Sequence, residues 1–219
     1  MSFLRRAVLA VCIAFVCLQE SSLAARIQDV DMTEKDLLQA IKIPFDDPNT
    51  VFFDYGLEGF PAMGLKPGSD IKSPYRLYLP ERFYAEFSIT ATVKLASKEG
   101  GFLFAVVNPL DTVVELGVHL GGAGAGMSNL SLLYTDVATH YSSQSVASFL
   151  LPSSFSRWGR FALKVTAEEV TVYFNCEKYD TIPVKREPQE LVFDSASTLY
   201  VGQAGPYHQG GARREYPLM

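Results

Sequence analysis

Three histidines, His119, His140 and His208, stand far apart in the sequence. No His-Glu-x-x-His pattern and no closely spaced cysteine pair accompanies them, so the spacing offers no zinc site. They read as surface or loop residues. Asp46, Asp47 and Asp54 could offer oxygens to calcium, but they lack calcium-loop spacing and read as a solvated loop. The glycine run Gly121-Gly122-Ala123-Gly124-Ala125-Gly126 follows a strand pattern but precedes another strand-like segment, Leu130 to Thr135. A phosphate-binding loop needs a helix there, so the run reads as a flexible hairpin loop. Ser195 lies in no nucleophile-elbow motif. The longest alternating segments carry serine and threonine on their polar faces, where a glycosidase would place paired carboxylates. The expected chemistry is therefore non-enzymatic: no catalytic residue, no metal and no cofactor.

What remains is modification and binding. Asn129-Leu130-Ser131 is an N-glycosylation sequon. Arg157 and Arg160 flank Trp158, and Lys185 and Arg186 are adjacent. Either pair is a weak candidate for a sulfated-glycan contact, since clustered cations gain by releasing counterions. The formal net charge of −5 limits such a site to a local patch and argues against a nucleic-acid partner.

Compartment follows from the N-terminus. Arg5 and Arg6 precede the apolar run Ala7 to Leu18, and small residues lie three before and one before a cut after Ala24. Residues 1–24 read as a secretory signal peptide, because the run is too short for a membrane span of about 20 residues. No later run could span a bilayer. Cys12 and Cys17 leave with the signal, and Cys176 remains alone in an oxidising compartment. A missing partner is preferred over a buried thiol.

The elements that would position these residues are mostly strands. Asp31 to Ile41 is the one helix, with Asp31 or Thr33 as cap and Leu37, Leu38 and Ile41 as its apolar stripe. Pro44 stops it. Beyond Phe52 the pattern has period two. Phe87, Ile89, Ala91 and Val93 alternate with Ser88, Thr90, Thr92 and Lys94. Phe161, Leu163 and Val165 alternate with Arg160, Ala162 and Lys164, and Val170, Val172 and Phe174 follow after a close Ala167-Glu168 turn. Further strands are expected at Phe102 to Val107, Val113 to Leu120, Leu130 to Thr135, Tyr75 to Leu79 and Leu199 to Val201. About ten short strands without intervening helices predict an antiparallel β-sandwich or jelly roll. Trp158 is expected to seal one end of it. Length and the 48% hydrophobic content fit one globular domain, placed at 25–206, with a disordered tail at 207–219.

The order of short motifs resembles the thrombospondin N-terminal-like, laminin G-like domain of the multiplexin collagens, types XV and XVIII, with type XV preferred. The carriers run from Asp36-Leu37-Leu38-Gln39 through Gly59-Phe60-Pro61-Ala62 and Gly100-Gly101-Phe102-Leu103-Phe104-Ala105 to Leu133-Tyr134-Thr135. They continue with Arg157-Trp158-Gly159-Arg160-Phe161-Ala162, Asn175-Cys176-Glu177 and Leu199-Tyr200-Val201-Gly202-Gln203-Ala204-Gly205. The resemblance implies a concanavalin-like sandwich and a secreted, non-enzymatic module of the extracellular matrix or basement membrane. Its implied partners are matrix proteins or glycosaminoglycans, and the full collagen would be a homotrimer. A free-standing secreted heparin-binding lectin is the alternative. In the family the cysteine matching Cys176 pairs with one beyond a further strand. Here the sequence diverges after Pro206, so the chain is expected to be truncated, without that strand and with an unpaired sheet edge.

Overall fold

The structure is a computed structural model that describes residues 33–97 and 99–206. Residues 1–24, expected to be a signal peptide and holding Cys12 and Cys17, and residues 207–219, holding His208, lie outside the described residues. The chain divides into residues 1–35 and 36–219. All that follows concerns the second unit.

Twelve strands account for nearly all regular structure among the described residues. They are β1 (Val51–Tyr55), β2 (Pro61–Leu65), β3 (Ile71–Pro74), β4 (Phe87–Val93), β5 (Gly100–Val107) and β6 (Val114–Gly124). Then come β7 (Met127–Tyr134), β8 (Ser145–Leu151), β9 (Gly159–Val165), β10 (Glu169–Phe174), β11 (Glu177–Pro183) and β12 (Thr198–Val201). β1 and β2 form a two-stranded ribbon; β11-β10-β9-β4 form one sheet and β3-β12-β5-β6-β7-β8 another. Their pairings are antiparallel.

Alternation explains the sandwich. Phe161, Leu163 and Val165 of β9 and Val170 and Val172 of β10 point inward from the four-stranded sheet. They share one buried cluster with Leu116 and Val118 of β6, Leu130 and Leu132 of β7 and Phe149 of β8. Each such side chain contributes about 1.5–3 kcal/mol on leaving water, so these facing rows dominate the stability of the fold. β4 pairs only with β9 among the described residues, and its inward Phe87, Ile89, Ala91 and Val93 stay half-buried.

Four local expectations change. The Asp31–Ile41 helix contracts to one 3-10 turn, Leu37–Ala40, because Asp36 accepts the Leu38 amide at 2.9 Å and Ile41 is already extended. So short a helix gains little by itself, and Pro44 bars helical backbone at Ile43. Ala40 and Ile41 nonetheless dock in the core. Tyr75–Leu77 is likewise a 3-10 turn, following β3. The glycine run is ordered: Gly121 and Gly122 pair with Asn129 and Ser128, and only Ala125 and Gly126 form the turn, with φ of 49° and 77°. Both values are those of a type I′ hairpin turn. Finally, Phe155 fills the place expected of Trp158. It is fully buried, its ring centroid lies 6.4 Å from that of Phe161 and 6.0 Å from that of Phe174, and a Cβ on Gly159 would meet it at 2.8 Å. Trp158 is only half-buried, outside that cluster.

Candidate functional site

The outward positions of the four-stranded sheet gather cations from two strands, β9 and β11. On β9, Arg160, Ala162 and Lys164 alternate with the core residues and face out. Register sets Arg160 opposite Thr92, Ala162 opposite Thr90 and Lys164 opposite Ser88 of β4. On the other side Ala162 faces Tyr173 of β10, which faces Lys178 of β11. Arg160 and Lys164 are therefore about 13 Å apart along one strand, and Lys178 is two strand spacings away, roughly 10 Å. Tyr173 lies half-exposed between them, and Arg160, Lys164 and Lys178 are exposed. None of the three makes an ion pair among the described residues. Arg160 is steadied by Thr92 Oγ1, 3.4 Å from its Nε. Glu169 shares this face, and its Oε1 accepts from Thr171 Oγ1 at 3.4 Å.

Cys176 adjoins the patch. Asn175 and Cys176 form the two-residue turn between β10 and β11, with φ of 49° and 71°. Its thiol is exposed and unbridged, 3.9 Å from an Arg160 guanidinium nitrogen. A cysteine is strained in this left-handed conformation, whereas glycine is at ease in the second position of a type I′ turn. Cys176→Gly is therefore expected to raise the unfolding free energy by about 1 kcal/mol in urea melts.

The second expected cation pair does not form a surface site. Lys185 and Arg186 both line an open cleft of about 360 Å3, beside Tyr134, Asp136, His140 and Glu187. Lys185 is held by Glu187 at 2.6 Å, and this pairing raises the lysine pKa and lowers that of the carboxylate. Arg186 is only 4% exposed. Its Nη1 donates to Gln189 O at 2.9 Å, and its Nη2 donates to Thr166 O at 2.8 Å and to Ala85 O. Its guanidinium carbon lies 4.9 Å from the Tyr134 ring centroid and 5.9 Å from that of Phe87. Arg186 is thus an internal tie between three chain segments, and it leaves the list of glycan contacts.

The remaining candidates are dispersed. Arg157 is exposed just before β9. Asn129 is exposed on β7. Asp47 is engaged by its own turn, accepting from the Asn49 amide at 2.9 Å and Thr50 Oγ1 at 3.0 Å, and these bonds lower its pKa. Asp54 accepts the Tyr55 amide. No group of three metal-ligating side chains occurs among the described residues. No helix among them is long and apolar enough to cross a membrane.

One match fixes the relationship. Over 160 residues the chain is 32% identical to human collagen alpha-1(XVIII) chain, covering 73% of this chain and 9% of that one. The domain belongs to the multiplexin collagen family. No family model matches the chain. Among solved structures, the multiplexin domain is similar to a Limulus polyphemus SAP-like pentraxin (14% identity, 61% of each chain, TM-score 0.43). It is also similar to mouse laminin alpha1 domains LG4-5 (11% identity, 69% of this chain and 38% of that one, TM-score 0.40). A Bacteroides ovatus GH16 structure bound to a mixed-linkage glucan product is a third (15% identity, 78% and 83%, TM-score 0.46).

Lys164, Lys178 and Tyr173 were not among the expected contacts of the multiplexin domain. Lys164 could have been found, because it shares the alternation of Arg160. Lys178 could not, because its place depends on a hairpin and on the register shift between Val172 and Tyr173.

Proposed function

We propose that this chain supplies a secreted, non-enzymatic module of the extracellular matrix, which engages sulfated glycans through the outer face of its four-stranded sheet. The collagen relationship supports the matrix setting. The binding mode rests on one observation: Arg160, Lys164 and Lys178, free of ion pairs among the described residues, surround Tyr173 on a chain whose net charge is −5. A flexible polyanion gains by displacing counterions from such a patch, and an aromatic face adds contact to a sugar ring. Arg157 and the Cys176 turn extend the patch at one end. In a collagen homotrimer three such faces would be presented together, and modest single-site binding would become avid.

Heparin titration with variants tests this. Arg160→Ala, Lys164→Ala and Lys178→Ala should each weaken binding about fivefold, a loss of about 1 kcal/mol per contact. The triple variant should not bind. Lys185→Ala, in the cleft and paired with its own carboxylate partner, should change nothing. Equal losses from Lys185→Ala and the patch variants would sink the assignment.

A further inference from the structure

We infer that Asn129 is an N-glycan acceptor only while β7 is unpaired, so that its occupancy is decided before the six-stranded sheet closes. β7 is a central strand: Asn129 lies opposite Gly121 of β6 on one side and Leu150 of β8 on the other. Its side chain is exposed, and neither neighbour obstructs a sugar there: Gly121 has no side chain and Leu150 is half-exposed. The acceptor's hydroxyl partner is not free. Ser131 is 9% exposed; its Oγ lies 2.9 Å from Ser148 Oγ of β8 and accepts Asn129 Nδ2 at 3.3 Å. Ser148 in turn meets Ser145 Oγ at 3.1 Å. The folded sheet therefore has room for a finished glycan but hides the groups a transferase must grip.

Before β8 is made, the segment is accessible. The β6–β7 hairpin alone is marginally stable, so the sequon stays exchangeable until further strands join. The modification transfers an oligosaccharide from a lipid-pyrophosphate donor. A bond forms between Asn129 Nδ2 and the anomeric carbon of the first sugar as the bond from that carbon to the pyrophosphate breaks. The leaving pyrophosphate takes the electron pair, and an Nδ2 proton passes to a base of the transferase. The finished glycan lies on the outer face of the six-stranded sheet, away from the cationic face of the other sheet.

This inference rests on the secretory reading of residues 1–24, and one experiment separates the two. The full chain is translated with microsomes, and the intact masses of both the translocated and the untranslocated products are read before and after peptide N-glycosidase. A product starting at Ala25 reports the signal; the enzyme-sensitive mass increment reports the glycan. The increment is expected in wild type and in Ser131→Thr, and absent in Asn129→Gln and Ser131→Ala. Folded, unglycosylated protein offered afterwards to detergent-solubilised transferase with its lipid-linked donor should be modified at least tenfold more slowly than urea-unfolded chain diluted into the same mixture. A translocated wild-type chain without the increment overturns the inference. So does a folded chain modified as fast as the unfolded one.

Discussion

Arg186→Met is expected to lower the unfolding free energy by about 3 kcal/mol in urea melts, although the residue it replaces is charged and adjacent to another surface cation. The guanidinium donates to carbonyls of Ala85, Thr166 and Gln189, which belong to the approach to β4, the β9–β10 turn and the loop after β11. Methionine keeps the stem but leaves those oxygens without their donor, at about 1–3 kcal/mol for each one that water does not reach. Loss of the stack between Tyr134 and Phe87 adds to this. Relief of the buried charge offsets part of it, because Arg186 has no carboxylate partner among the described residues. Arg186→Lys should recover less than half, since a point charge cannot bridge three carbonyls and lie flat between two rings. Stability of Arg186→Met within about 0.5 kcal/mol of wild type, the range of ordinary surface substitutions, would contradict the structural role.

Glu115→Gln is expected to have the opposite sign, and only above mildly acidic pH. Glu115 is the extra residue of a bulge in β6, between Val114 opposite Val107 and Leu116 opposite Val106. It is 1% exposed and neither carboxylate oxygen has a hydrogen-bond partner. Burial first, then Asp194 and Asp136, push its pKa up from 4.5 to about 7. Burial raises the pKa of the nearby Tyr75 hydroxyl, and Glu81 and Glu115 add smaller contributions against Arg76. Below pH 4.5 the group is neutral in both the folded and unfolded chain. Between 4.5 and 7 the unfolded chain gives up the proton and the folded chain holds it, so stability falls as pH rises. Above 7 the loss is complete and on the order of 3 kcal/mol, at 1.36 kcal/mol per pKa unit. The glutamine variant should match wild type at pH 4.5 and exceed it by about that amount at pH 8. A difference between the two proteins that is the same at both pH values would contradict this.

How much of this is readable from sequence depends on how local its cause is. β4, β9 and β10 are plain in the alternation of Phe87 to Val93, Phe161 to Val165 and Val170 to Phe174, because one face of each meets the core and the other meets water. The same alternation already sets Arg160 and Lys164 on one face. β11 gives no such signal. It is an edge strand whose residues from Glu177 to Asp180 are all exposed, so no apolar period marks it. β8 is diluted by Ser145, Ser148 and an outward Leu150, half-exposed on the outer face. The stripe of Leu37, Leu38 and Ile41 suggests a helix, yet a single capped turn with extended backbone after it buries Ala40 and Ile41 equally well. Arg186 and Glu115 lie furthest from local reading. One is decided by carbonyls from three distant segments, the other by a bulge that turns a carboxylate into the core.

The measurement that most directly tests the account is the affinity of the intact, glycosylated or unglycosylated chain for heparin as salt is varied. Three cations closing on a polyanion should release about two to three counterions, so the logarithm of the affinity should fall with the logarithm of salt at a slope near −2 to −3. Chemically desulfated heparin should not bind. Passage through a heparin column at about 0.15 M salt, or binding that ignores salt and sulfation, would contradict the proposal that this face is the domain's contact with the matrix.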